Sequence, residues 1–256
     1  MEKLDIKNLK INFWKFKFLG IGTLGICFLT PDEKVLKIFL NKYRIARLKE
    51  FHPDLVEHFS NINSLGNDTY MVPEKLLMRG NEVVGYLAAF GKGRRISNFS
   101  GDLRVRKIIS AYDVLTEDTQ KISEQKFRLS DVHNGNILYD EELNHFSCID
   151  LDKGSIEGES LTSDAIMRMN MRAINDCIIC SLFGVNILYK TINFYDYDLQ
   201  KLYEEVTLRD YSAIGDFFAY LFEVTRENDP TISMLHREKR KILSVNPVED
   251  YYNRLF

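Results

Sequence analysis

Four clusters of residues in this 256-residue chain have the types and spacing to do chemistry. The first is Gly20-Ile21-Gly22-Thr23-Leu24-Gly25, a G-x-G-x-x-G run. Glycine carries no side chain, so backbone N–H groups there can come up against phosphate oxygens. The second is Lys37, inside the apolar run VLKIFL. An ammonium in such a strand is costly unless it snorkels from an edge or reaches an anion. The third is Asp131-Val132-His133-Asn134-Gly135-Asn136, with an acid and an amide five residues apart in a glycine-containing loop. Asp131 can accept or orient a hydroxyl proton and Asn136 can bind a metal, while an Asp/Asn-rich turn can also simply cap its own backbone. The fourth is Ile149-Asp150-Leu151-Asp152, at the end of the strand-like HFSCID. A carboxylate there suits Mg²⁺, which prefers hard oxygens and substrate phosphates.

The elements that must position these residues change character along the chain. Residues 11–40 read as strands, with ICFLT and a Pro31-Asp32 turn directly after the glycines. A dinucleotide-binding fingerprint needs a helix at that point, so the glycines open a hairpin instead. Residues 41–50 look helical, and DLVEHFSNI continues that helix after Pro53, with Leu55, Val56 and Phe59 on one face. TYMVPEKLLMRGNEVVGYLAAF reads as two strands around Arg79-Gly80-Asn81, and Gly91-Lys92-Gly93 is a linker. Beyond it the pattern is mainly helical. Residues 103–126 form one helix, ILYD and HFSCID form a hairpin across EELN, and helical runs follow in SDAIMRMNMRAINDCIICSLFG, YDLQKLYEEV and YSAIGDFFAYLFEVTR.

Composition narrows the class. Lys+Arg 34 against Asp+Glu 37 gives a net charge of −3, without the basic excess on which nucleic-acid binding rests. No run of about 18 apolar residues exists to span a bilayer, and the N-terminus lacks the apolar stretch of a secretory signal. Four cysteines are few for this length, so thiols and a cytoplasmic location are expected. Cys177 and Cys180 form a C-x-x-C with no second pair, in an apolar stretch that reads as core. The basic cluster HREKRK around Arg237 reads as a solvated face.

In order and spacing, Gly20, Gly22 and Gly25, Lys37, D-V-H-N-G-N and I-D-L-D resemble the protein-kinase-like superfamily. The loop is most similar to the D-x-H-x-x-N version found in aminoglycoside phosphotransferases and atypical bacterial kinases. The resemblance implies a bilobal α+β fold. Residues 1–91 would form a small antiparallel β-sheet lobe with one helix that binds nucleotide, and residues 92–256 a mainly helical catalytic lobe, with a hinge near Ala89–Gly93. It implies ATP and Mg²⁺ as cofactors and a protein or small-molecule hydroxyl as acceptor. Gly20, Gly22, Gly25 and Lys37 would hold phosphates, with Glu57, or else Glu50, as the lysine's helix partner. Asp131 would be the catalytic aspartate, with His133 beside it where sugar kinases carry His. Asn136 and Asp150 would bind the metal, and strand alternation puts Asp152 on the same face as Asp150. Asp176 would match a buried helix Asp that supports the catalytic loop.

The departures are specific. Leu129 and Ser130 replace the His and Arg of H-R-D, so no cation waits there for an activation-loop phosphate. Leu151 and Asp152 replace the Phe and Gly of D-F-G, no A-P-E is present, and the segment after Asp152 is short. The expectation is an ATP-dependent phosphotransferase, protein Ser/Thr kinase-like. A small-molecule kinase, a silent nucleotide-binding pseudokinase and an AMP-transferase of the same fold are its alternatives.

Overall fold

Short runs of β-branched and aromatic residues, punctuated by Gly, Pro and Asp turns, become the strands of one sheet. The computed structural model of the protein describes residues 1–7, 15–40, 42–99, 101–182, 218, 221–222 and 225–244. The sheet comprises β1 (Glu2–Asp5), β2 (Lys17–Ile21), β3 (Gly25–Leu29), β4 (Lys34–Phe39), β5 (Pro73–Arg79) and β6 (Glu82–Ala89). Its order is β1-β5-β6-β4-β3-β2. All neighbours are antiparallel except β1 and β5, which run parallel. The sheet expected from sequence is purely antiparallel and has no strand this early. Glu2–Asp5 is too short and too charged to carry a strand signal alone; it pairs because the β5 edge offers backbone donors and acceptors.

Two helices follow β4 where one was expected: α1 (Lys42–Phe51) and α2 (Leu55–Asn63). Pro53 explains the break, because it lacks an N–H and disfavours helical geometry in the residue before it. Asp54 then caps α2, its carboxylate accepting from the Val56 N–H at 2.8 Å and the Glu57 N–H at 3.1 Å. The buried side of α2 is Leu55, His58, Phe59 and Ile62, a helical spacing. Phe59 packs into the sheet, with ring centroids 6.1 Å from Phe39 and 5.5 Å from Tyr86.

Two glycines pinch β4 from both sides. A Cβ on Gly25 would lie 2.0 Å from the Ile38 carbonyl oxygen, and one on Gly85 would lie 2.1 Å from that of Lys37. Either would force the strands apart at Lys37. Gly25 therefore serves the sheet, while Gly22 closes the β2–β3 turn with its N–H on the Gly25 carbonyl at 2.8 Å.

The chain divides into two compact units, Met1–Gly91 with Cys148–Ile156, and Lys92–Ser147 with Glu157–Phe256. The acidic segment after residue 147, expected to belong with 92–256, thus returns to the first unit. It is stitched there by the Cys148 N–H on the Thr69 carbonyl at 2.7 Å and the Met71 N–H on the Cys148 carbonyl at 3.0 Å. The second unit contains β7 (Arg94–Arg95), β8 (Phe127–Arg128), β9 (Ile137–Asp140) and most of β10 (His145–Cys148), with β11 (Ser155–Ile156) back in the first. Its α-helices among the described residues are α3 (Val105–Glu124), α4 (Ser163–Leu182) and α5 (Ile232–Ser244). The β9–β10 hairpin turns through Asn144 at φ +51°, as its position in EELN allows. Cys177 and Cys180 are buried on α4, and none of the four cysteines is disulfide-bonded.

The protein is therefore mixed α+β, with a six-stranded sheet and five α-helices among the described residues. No helix among those residues is long and apolar enough to cross a membrane. The runs YDLQKLYEEV and most of YSAIGDFFAYLFEVTR, expected to be helical, lie outside the described residues, as do residues 11–14 of the first expected strand.

Gly25→Ala should destabilise the protein by about 3 kcal/mol or more, at or above the top of the usual range for overpacking, because the clash is with rigid backbone. Gly20→Ala, with open space around it, should cost well under half of that. Urea unfolding of the two variants checks the ranking; equal losses would mean that the sheet does not depend on the close approach at Gly25.

Candidate functional site

In the first unit the site is built around Lys37. Cross-strand pairing sets Cys27 on β3, Lys37 on β4 and Tyr86 on β6 side by side, so their side chains share one face. That face also carries Phe39, two residues on, and α2 packs against it through Phe59. Lys37 is consequently only 4% exposed. Its ammonium makes ion pairs with both Asp150 and Asp152 and lies 5.6 Å from the Tyr86 ring centre.

The two carboxylates do not sit on a strand. β10 ends at Cys148, and Leu151–Lys153 form a 3-10 turn that Asp150 enters in the left-handed region, at φ +64° and ψ +48°. Alternation along a strand was the expected reason for a shared face; a tight turn is the actual one. Asp152 is 1% exposed, whereas the Asp150 side chain keeps 37% of its surface open. The Tyr86 hydroxyl donates to Asp152 Oδ1 at 2.5 Å, and His58 Nε2 lies 2.8 Å from the Asp152 carbonyl oxygen. His58 also stacks on His52, with ring centroids 3.7 Å apart.

Burial and charge compete at each of these groups. Burial would depress Lys37, but Asp152, Tyr86 and Asp150 outweigh it and hold the ammonium well above its usual pKa. Burial would raise Asp150, yet the Lys37 charge and hydrogen bond bring it below the ordinary carboxylate range. At Asp152 burial wins over Lys37, reinforced by the charge of Asp150, and the pKa is raised. Burial and the Asp152 charge push the Tyr86 phenol up, so it remains a donor. The Cys27 thiol is raised by burial despite Lys37, which keeps it from being a reactive nucleophile.

The loop that carries Asp131 lies in the second unit. Asp131 adopts φ +60°, a second left-handed aspartate. Such conformations cost about 1–3 kcal/mol each and collect where function over-determines the backbone; Asp tolerates them better than most residues. Asn136 closes the loop, with Nδ2 donating to the Asp131 carbonyl at 3.1 Å and its N–H to the His133 carbonyl at 2.8 Å. The Gly135 N–H donates to His133 Nδ1 at 3.1 Å, which leaves Nε2 as the protonated nitrogen of the neutral ring. The strand entering the loop is held from α4. Asn170, 1% exposed, accepts the Leu129 N–H at 2.8 Å and donates to the Phe127 carbonyl at 2.9 Å.

The predicted residues are thus gathered in two sets. Gly20, Gly22, Gly25, Lys37 and Asp150 fall in the first unit, and Asp131, His133 and Asn136 meet in one turn of the second. Glu57 is a correction. It is exposed on the first turn of α2, and the anions on Lys37 come from Asp150 and Asp152. Glu50, the other candidate, is exposed at the end of α1. His58 and Asn170 were missed, and Asp152, expected as a neighbour of Asp150 and a rival to it for the metal, was not foreseen as an anion on Lys37. A signal existed for each: a second acid two residues after Asp150, a histidine in the i, i+3, i+4 stripe of α2, and an amide within the apolar stripe of α4.

Among the described residues, no group of three or more His, Cys, Asp and Glu side chains forms a cage for a metal. Mg²⁺ does not need one, because it keeps several waters and takes one or two carboxylates together with substrate phosphates. The half-open carboxylate of Asp150 fits that demand. No protein-family model matches the chain, and a search of curated proteins returns no match.

Burial lowers the His58 pKa from 6.5 to about 4. Above about pH 6.5 the folded and unfolded chains both hold it neutral. Between about pH 6.5 and 4 the unfolded chain takes up a proton that the folded one refuses, so stability falls as pH falls through that window. The loss should reach about 2–3 kcal/mol, with His52, also lowered by burial, acting in the same direction. His58→Gln keeps an N–H for the Asp152 carbonyl but cannot titrate, so urea unfolding at pH 7 and 4.5 should show a shallower loss. An unchanged pH slope would sink the assignment.

Proposed function

We propose that the protein is an ATP-dependent phosphotransferase that acts on a hydroxyl group. The observation that carries this reading is Lys37, an ammonium buried beside a glycine hairpin and paired with the I-D-L-D carboxylates. A lysine kept charged in the interior, next to a carboxylate that stays half open, suits a polyphosphate and its metal. The glycines support it too, since they turn a hairpin and do not open a helix, against a dinucleotide fold.

In this reading the hairpin backbone and Lys37 bind phosphate oxygens, and Asp150 is the carboxylate that would hold Mg²⁺. Asn136 offers a hard amide oxygen of the kind the resemblance assigns to the metal. Mg²⁺ would supply neutralisation of the charge on the phosphates. Asp131 orients the acceptor hydroxyl and takes its proton. As it does so, the acceptor oxygen bonds to the γ-phosphorus, the bond from that phosphorus to the bridging oxygen breaks, and ADP leaves with the electron pair. His133, with Nδ1 engaged by Gly135, lies in the same turn, where the resemblance places it beside Asp131.

A small-molecule acceptor is favoured over a peptide by one feature. Residues 154–162 alone separate the 3-10 turn from α4, which is too little chain for a peptide-docking segment.

Millimolar Mg·ATP should raise the melting temperature of the wild type by several degrees, because a ligand of the native state stabilises by mass action. Lys37→Ala should lose most of that shift. Asp131→Asn should keep it and lower turnover about 10²–10⁴-fold. ATP labelled separately at the γ- and α-phosphates should transfer only the γ label. Transfer of the α label would make the protein an AMP-transferase, and no melting shift with Mg·ATP would end the nucleotide reading.

A further inference from the structure

A buried ammonium must be held in place by something that cannot move away from it. In the first unit, helix α2 presents Leu55, His58, Phe59 and Ile62 to the sheet, and no carboxylate among them. Its acid, Glu57, is exposed with its backbone N–H on the Asp54 cap. The anions therefore come from the chain at Asp150–Asp152, and these two are not equivalent. Every side of Asp152 is engaged. One carboxylate oxygen pairs with Lys37, the other accepts the Tyr86 hydroxyl at 2.5 Å, and the carbonyl lies 2.8 Å from His58 Nε2. Asp152 is only 1% exposed, so it has no face left for a ligand. Asp150 places Oδ1 on Lys37 and keeps 37% of its side-chain surface open.

We infer that Asp152 is the positioning residue for Lys37, oriented by Tyr86 and tied to α2 through His58, while Asp150 is the carboxylate left for ligands. The part that the resemblance gives to a helix glutamate is thereby taken by the turn itself. Helix α2 contributes a neutral donor to the turn's main chain and no charge to the lysine. A swing of α2 that carries Glu57 towards or away from Lys37 then has no ion pair to make or break. That Lys37 serves a nucleotide rests on the proposed function; its placement by Asp152 does not.

The experiment reads Lys37 directly. Folded protein is treated with an amine-acylating reagent at fixed pH, and the modification of each lysine is followed by peptide mass spectrometry. In the wild type Lys37 should be protected, while the more exposed Lys34 and Lys75 react. Asp152→Asn should speed Lys37 modification about tenfold or more and leave Lys34 and Lys75 unchanged. Tyr86→Phe, which removes only the orienting hydroxyl, should move it the same way by a smaller factor, and Glu57→Gln should leave it at the wild-type rate. In parallel, Asp152→Asn should raise the KM for ATP more than it lowers kcat. Wild-type protection of Lys37 in folded Asp152→Asn, or in Tyr86→Phe if the first variant does not fold, overturns the assignment. Deprotection by Glu57→Gln as strong as that by Asp152→Asn does so as well. A wild type that binds no Mg·ATP ends the nucleotide reading, and the labelling arm still decides what holds the lysine.

Discussion

Burying the ammonium of Lys37 is the constraint on which the rest of the first unit depends. An isolated ion in a protein interior costs several kcal/mol even after relaxation, and breaking a buried pair by removing one partner costs about 3–5 kcal/mol. The chain meets this by bringing a distant acidic segment back to the sheet. Cys148 is hydrogen-bonded to the backbone at Thr69 and Met71, and Asn67 holds that backbone by accepting the Thr69 and Tyr70 N–H groups at 3.0 and 2.9 Å. The following turn then has to reverse within three residues, and the left-handed conformation of Asp150 is what permits it. Strain at Asp150 is thus offset by a satisfied lysine.

The apolar surroundings make this arrangement both strong and intolerant. Phe39, Phe59 and Tyr86 form an aromatic cluster with ring centroids 5.5–6.1 Å apart beside the ion pairs. They exclude water, which strengthens the attraction between Lys37 and Asp152 and equally raises the penalty for any polar atom left unmatched. Each polar group that enters the cluster arrives with a partner: Tyr86 with Asp152, His58 with the Asp152 carbonyl, Lys37 with both acids. The close approach of β3 and β6 to β4, possible because residues 25 and 85 are glycine, keeps these partners in register. A wider sheet would separate Lys37 from Tyr86.

How far the sequence reveals this follows from the range of each interaction. The glycine hairpin, the lysine strand, the β9–β10 hairpin and the loop from Asp131 to Asn136 are set by neighbours a few residues apart, and pattern is enough to find them. The break between α1 and α2 was equally local, and Pro53 with Asp54 announced it; weight given to continuous helical periodicity hid it. Asp152 and His58 are different. Their roles depend on which segment returns to which face, and nothing within a dozen residues of Lys37 identifies an acid so far along the chain. Carrying Glu57 over from a resemblance put a helix acid where this chain has a turn. Strand β1 failed for a third reason: a four-residue edge strand gains its stability from the edge it joins, not from its own composition.

The charge balance at Lys37 bears on what the site can accept. With all three groups ionised, Lys37, Asp150 and Asp152 carry one positive and two negative charges. An ammonium has three N–H donors, and the two carboxylates engage two of them. The third can meet a phosphate oxygen, but a bare polyphosphate would still approach a locally negative cluster. Like charges at close range in a medium of low dielectric repel by more than one hydrogen bond recovers. A divalent cation held by Asp150 would reverse that sign, turning a net charge of −1 into +1 at the point where phosphates would arrive. In the proposed function, metal and nucleotide are then one ligand in energetic terms, each favourable mainly in the presence of the other. In that reading the same arithmetic accounts for one acid of the pair being buried and the other half open: the first neutralises the lysine permanently, and the second stays able to exchange partners.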